Sequence, residues 1–210
     1  MVSDVEVIVF DLGGVLLDWD PREVYRKFTD DERKIQSFLA EVAVSSWNQR
    51  MDAGETFSSA IEDRIQSYPE WKDWIQAWHR EWPSMLKGVK VDVLQVFRKL
   101  IGLRESGQLK GIYALSNWSS ETFPIAMSRF PFLDEFDGKL ISGYERLVKP
   151  QPEFYQRLCE RYALQPEQCL FIDDLSSNIE VARELGFHTH WFRDAEMLIQ
   201  DLRRLGLYTE

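Results

Sequence analysis

Cysteine is scarce in this chain. Cys159 and Cys169 are the only two in 210 residues, and neither sits in a CxxC or zinc-finger spacing. Neither a disulfide framework nor a thiolate metal site is expected, and both are read as reduced thiols of a cytoplasmic protein. Long apolar runs are missing as well. The longest, such as Val7 to Phe10, are far too short to span a bilayer. The N-terminus (MVSDVE) has neither a basic flank nor an apolar stretch, so no secretory signal is expected. Positive charge is also in deficit, with 25 Lys and Arg against 35 Asp and Glu and a formal net charge of −10. That balance argues against nucleic acid or an anionic membrane as partner, since each requires a basic face. A small anionic substrate stays compatible, because a few local cations can dominate one pocket. Disorder is excluded by the 44% hydrophobic and 13% aromatic content.

What the chain does contain is an alternation of short β-branched runs and helical periods. Val5–Phe10, Gly111–Leu115, Lys139–Ile141, Gln168–Ile172 and Thr189–Phe192 read as strands. Between them, Val93, Leu94, Phe97, Leu100 and Ile101 share one helical face, and Ile179–Leu185 forms a short amphipathic helix stopped at Gly186. The pattern predicts an α/β, doubly wound parallel sheet of the Rossmann-like kind, covered on both faces. Residues 18–84 break the alternation. They hold no convincing strand, and Asp20-Pro21 is a helix-start signal. Trp71, Trp74, Trp78 and Trp82 recur at spacings of three and four, as along one face of a helix forming a buried seam. The expected organisation is a core of residues 1–17 and 85–210 with an inserted helical cap over 18–84.

In an open parallel sheet, ligands bind outside the carboxyl ends of the strands. The residues just past those ends are Asp11-Leu-Gly-Gly, Ser116-Asn117-Trp118, Val148-Lys149-Pro150 and Asp173-Asp174-Leu-Ser-Ser-Asn178. Each group alone could be a turn or a helix cap. Together they put a nucleophilic carboxylate, a hydroxyl, an ammonium and further carboxylates on one rim. A carboxylate can attack phosphorus while Ser and Lys hold its non-bridging oxygens. Additional carboxylates and a carbonyl can supply oxygen ligands to Mg²⁺.

FDLGGVL, LSN, VKP and FIDDLSSN resemble, in order and across nearly the whole chain, motifs I to IV of the haloacid dehalogenase-like (HAD) superfamily. The 18–84 insertion resembles that family's C1-type helical cap. The resemblance implies that Asp11 is the nucleophile, that Ser116 and Asn117 bind the transferring group, and that Lys149 neutralises its charge. It further implies Mg²⁺ held by Asp11, Asp174 and the Gly13 carbonyl, with Asp173 assisting the metal or orienting Lys149. The subgroup most resembled comprises phosphatases written FDLGNV, some acting on sugar phosphates. Trp19 and Trp118 lie close to proposed catalytic positions and are expected to contact the leaving group of a small phosphorylated substrate. Asn178, four residues beyond Asp174, assists the metal site or caps the helix. His79, His188 and His190 are read as structural. Nothing in the sequence speaks to oligomeric state.

One departure matters. Many family phosphatases carry a second Asp two residues after the nucleophile as general acid/base, and here that position is Gly13. Three readings follow: a slower phosphatase whose proton comes from solvent, substrate or a residue such as Asp18; a catalytically silent binder of phosphorylated metabolites; or a dehalogenase, whose halide leaves unprotonated. The paired Asp173 and Asp174 crowd negative charge in a way that calls for a cation, which favours phosphate chemistry.

Overall fold

The computed structural model describes residues 4–208. Five strands form one parallel sheet: β1 (Val7–Phe10), β4 (Gly111–Ser116), β5 (Gly138–Ile141), β6 (Cys169–Asp173) and β7 (His188–Trp191), in the order β5-β4-β1-β6-β7. β1 is central, with Val7 opposite Gly111 on one side and Cys169 on the other. All of its residues are buried, as are all of β6. This explains why both read as unbroken apolar runs rather than as alternating ones.

The pleat divides the sheet's side chains between two cores. Ile8, Phe10, Ile112, Ala114, Leu170 and Ile172 face one layer, with helices Val91–Glu105 and Ala195–Arg204. Val7, Val9, Leu115, Leu140 and Phe171 face the other, with helices Pro152–Tyr162 and Ser176–Glu184. Helices on both faces of a parallel sheet are what the sequence pattern predicts. Gly186 ends the last of these helices at φ +94, a left-handed conformation that costs glycine little.

Two short strands escape the sequence reading. β2 (Leu17–Trp19) and β3 (Leu86–Val89) pair antiparallel and bracket the insertion as a stem. LDW and LKGV mix charged residues and a glycine with few buried apolar ones, so neither shows a strand pattern. The segment between them is helical, with its own aromatic interior. Tyr25 stacks on Trp74 at 5.0 Å and 15°, and Trp47 meets Trp78 edge-on at 5.3 Å. The Tyr25 hydroxyl donates to the Trp74 carbonyl, and the Trp47 indole N–H to Ala60. This seam is continuous with the core beneath the sheet.

The expectation of one tryptophan-bearing helix face needs correction. Trp71 closes a 3₁₀ turn, Trp74 and Trp78 lie one turn apart in helix Lys72–Arg80, and Trp82 begins a separate helix, Trp82–Met85. The chain breaks at Glu81, because Pro83 cannot supply the amide that a continuing helix would need. Trp82 is thereby turned toward the catalytic rim rather than into the seam. Both cysteines are free thiols, Cys169 buried and Cys159 half-buried. Among the described residues no helix is long and apolar enough to cross a membrane.

Trp78 is 1% exposed and touches Trp19, Tyr25 and Trp47. Trp78→Ala should lower the unfolding free energy by about 3–5 kcal/mol, the cost of a large buried aromatic cavity. Urea titration would read this as a lower midpoint at unchanged slope.

Candidate active site

The four rim segments converge as the strand ends require. The Asp11 amide continues the ladder beyond β1, donating to Ile172 at 2.8 Å, so the Asp11 side chain leaves the sheet at its carboxyl edge. Asp11 Oδ1 accepts from the Ser116 hydroxyl at 2.8 Å and from the Leu12 amide at 2.7 Å. Lys149 Nζ lies 3.0 Å from Asp11 Oδ1 and 2.7 Å from Asp173 Oδ2. The lysine is 2% exposed and Asp173 fully buried, so this ammonium is shared between two carboxylates away from water.

Backbone contacts hold that lysine in place. Asn117 donates its amide to the Lys149 carbonyl at 2.9 Å and accepts the Lys149 N–H at 2.8 Å, clasping the β4 loop to the 149 loop. The side chain expected to bind substrate is therefore committed to the neighbouring loop, although it also borders the cavity. Asp173 is equally committed. Beyond Lys149 it accepts from the Asn178 amide with both oxygens and from the Leu175 N–H. Asn178 is 2% exposed, and its role is this grip on Asp173 rather than a helix cap.

Asp174 turns the other way, into the cavity. Its carboxylate rests against Gly14, where a Cβ would overlap it, and Gly14 adopts φ +77. The second glycine of the pair is thus required both by conformation and by close approach. Gly13 differs. It borders the cavity, and a Cβ there would meet nothing within 4 Å. Its missing side chain leaves space.

One carboxylate oxygen from each of Asp11, Asp173 and Asp174 lies within 4.8 Å of the other two. When all are ionised, three carboxylates against one ammonium leave two negative charges in a poorly solvated site. Burial, together with the charges of Asp173 and Asp174, holds the Asp11 carboxyl above its usual range despite the opposing pull of Lys149. Asp174 is likewise raised, first by burial and then by Asp173. A hard divalent cation relieves that repulsion, and an all-oxygen donor set with open positions suits Mg²⁺. The residues present therefore fit the metal.

Above this cluster is a cavity of about 320 Å³. Trp19, Trp82 and Trp118 supply its apolar walls, and both tryptophans singled out from the sequence border it. Two residues of the insertion, missed from the sequence, border it too: Asn48 and Asp52, on helix Ser45–Asp52. No motif marks them, since a polar residue on an amphipathic helix reads as a solvated face. Asp18 fails the expectation that it could serve the site. It does not border the cavity, and its carboxylate points to Lys87 at 3.7 Å.

The sequence matches the family model of haloacid dehalogenase-like hydrolases over residues 5–186. The chain belongs to that family. Among curated proteins it is 26% identical over 198 residues to the D-ribitol-5-phosphate phosphatase of Bacteroides thetaiotaomicron, covering 88% of this chain and 90% of that one. A 38% identity to acyl-CoA dehydrogenase family member 10 of Mus musculus spans only 71 residues, 7% of that longer protein. Among solved structures, a HAD family enzyme of Bacteroides thetaiotaomicron, an Asp-to-Ala mutant in complex with magnesium and inorganic phosphate, superposes with a TM-score of 0.67 at 25% identity. That match covers 89% of this chain and 93% of the other. This HAD chain thus shares its fold with a HAD family enzyme and resembles phosphatase-named proteins in sequence.

Asp52 generates a stability prediction. Its carboxyl is pushed up to about 7, chiefly by burial. Between about pH 4 and pH 7 the unfolded chain releases this proton while the folded protein retains it, so folded stability falls as pH rises through that window. Wild type should lose stability relative to Asp52→Asn over the same range and then level off. Melting temperatures of the two metal-free proteins at pH 4.5, 6 and 7.5 would check it.

Proposed function

We propose that this protein is a Mg²⁺-dependent phosphatase of small phosphomonoesters, a sugar or polyol phosphate being the substrate class. The observation that carries the reading is the buried Lys149 ammonium held between Asp11 and Asp173, with the Asp174 carboxylate turned into the same cavity. Asp11 attacks phosphorus through its free oxygen, its Oδ1 being held by Ser116, Leu12 N–H and Lys149. Lys149 and Ser116 face the non-bridging oxygens, where charge accumulates in the transition state. Asp173, saturated by four hydrogen bonds from three donors, positions Lys149 and the 173–178 loop. Asp11, Asp174 and the Gly13 carbonyl would hold Mg²⁺, which supplies charge neutralisation for the phosphoryl group when bound. Asn117 acts by clasping Lys149 rather than by gripping substrate directly.

The insertion over 18–84 is the cap and the source of specificity; residues 1–17 and 85–210 form the core that carries the chemistry. Two residues lining the cavity support a hydroxyl-bearing leaving group, because each carries an unpaired polar atom. Trp118 Nε1 and Thr122 Oγ1 are both buried without a hydrogen-bond partner. Leaving buried donors unpaired costs about 1–3 kcal/mol each, a cost that a ligand's hydroxyls would remove. The Bacteroides relative, named for a polyol phosphate, supports the same class. The dehalogenase reading has no such support, since halide displacement gives no reason to crowd Asp174 against Asp11.

Hydrolysis of 4-nitrophenyl phosphate and a panel of sugar and polyol phosphates tests this reading. Turnover should require Mg²⁺ and fall at least about 10⁴-fold in Asp11→Asn, as for loss of a nucleophile elsewhere. Absence of turnover on every ester with Mg²⁺ present would sink it. For the best polyol or sugar ester, Trp118→Phe and Thr122→Val should each raise KM about 5- to 10-fold, the worth of one hydrogen bond. KM for the aryl ester should move much less.

A further inference from the structure

Loss of the acidic residue at Gly13 poses a definite chemical problem. An alkoxide leaving group needs a proton, and no carboxyl at that position can give one. We propose that Asp52, at the end of helix Ser45–Asp52, is the general acid that protonates the leaving alkoxide and then the base that activates the attacking water. The inference rests on the phosphatase reading above and assigns that reaction a catalytic residue from the insertion.

Three features of the fold place Asp52 for this role. First, it borders the same cavity as Asp11, and a side chain at residue 13 would meet open space. Second, its carboxyl is oriented rather than free. Asn48 Nδ2, one turn earlier, donates to Oδ2 at 2.8 Å, and the Trp78 indole N–H fixes Asn48 in turn at 3.3 Å. The Ser119 backbone also hydrogen-bonds this carboxyl. Third, its backbone is tied to the core despite belonging to the insertion. The Ser142 hydroxyl donates to the Asp52 carbonyl at 2.6 Å and accepts the Trp118 N–H at 2.9 Å, so one side chain links helix 45–52 to the loop after β4. Gly143 lets these loops approach, since a Cβ there would overlap the Trp118–Ser120 backbone.

Electrostatics agree with the geometry. Burial is the main influence that keeps this carboxyl protonated near neutral pH; the Ser119 hydrogen bond opposes it and the Asp11 charge adds to it. A carboxyl pushed up to about 7 can carry a proton near neutral pH, so Asp52 can act as an acid first, where proton transfer is most effective.

The sequence of transfers balances. As an Asp11 oxygen forms its bond to phosphorus, the bond from phosphorus to the ester oxygen breaks, and that oxygen takes the Asp52 proton to leave as an alcohol. The Asp52 carboxylate then accepts a proton from water as its oxygen attacks the aspartyl-phosphate. Phosphate departs, Asp11 is restored as carboxylate, and Asp52 is again protonated.

The test compares leaving groups. kcat/KM reports only the steps through Asp11 phosphorylation, and 4-nitrophenolate leaves with little need of a proton. With Mg²⁺ present, Asp52→Asn should lower kcat/KM for the best alkyl phosphate by about 10²-fold or more relative to its effect on 4-nitrophenyl phosphate. Asp52→Glu, which keeps an acid, should recover part of that selective loss. Asp52→Ser repeats the comparison should the amide of Asn disturb Asn48, and melting temperatures establish that each variant is folded. Equal losses on both esters, or no loss on either, would overturn the assignment while wild-type, Asp11-dependent turnover left the phosphatase standing. A wild type active on aryl esters alone would also overturn it, again without harm to the phosphatase. A wild type inactive on every ester removes both.

Discussion

A buried ammonium between two buried carboxylates organises this molecule. Lys149 Nζ sits within 3.0 Å of both Asp11 and Asp173, with almost no solvent access. Placing a charge there without partners would be prohibitive, and the pair of carboxylates is what makes the position tenable. The converse holds as well. Asp11 follows β1 and Asp173 ends the adjacent β6, and the ammonium between them offsets the repulsion of two carboxylates so close together. The three residues come from widely separated parts of the chain, so their mutual satisfaction ties β1, β6 and the 149 loop into one unit.

Around that pair, the loops are held by side chains that serve backbone rather than ligand. Asn117 closes a two-bond clasp on Lys149, and Asn178 with the Leu175 N–H saturates Asp173. Ser142 bridges the loop after β4 to the insertion. These contacts fix the Asp11 carboxylate and the Lys149 ammonium in place, and preorganised groups of this kind are what electrostatic catalysis needs. Asp174, by contrast, packs its carboxylate on Gly14 at the cavity, while the Trp191 indole N–H holds its backbone carbonyl at 2.9 Å. The division of labour between two adjacent aspartates follows from the strand end: one points into the sheet's interior and its neighbour points out.

The insertion completes the site in two ways. Its aromatic seam gives it a rigid interior continuous with the core, so that helix 45–52 and Trp82 are presented in defined places. It also contributes polar groups, Asn48 and Asp52, to a wall that is otherwise tryptophan.

Much of this was legible in the sequence because the relevant signals are local. Parallel strands buried on both faces must be apolar throughout, so VIVF and CLFI announce themselves, and ligands gather past their carboxyl ends. That suffices to nominate Asp11, Ser116, Lys149, Asp173 and Asp174. It also marks where the alternation of strands and helices breaks off. Tertiary structure alone decided the rest. Asn117 and Asp173 differ in role from Ser116 and Asp174 because of partners far along the chain, which spacing does not encode. The tryptophan series, regular in sequence, splits at Pro83 into seam and cavity wall. Asp18, in the middle of stem strand β2, faces Lys87, while Asp52 borders the cavity from a helix with no motif to mark it. Which way a polar side chain on an inserted helix points depends on how that helix packs against the core, and that packing is a sum over many distant contacts.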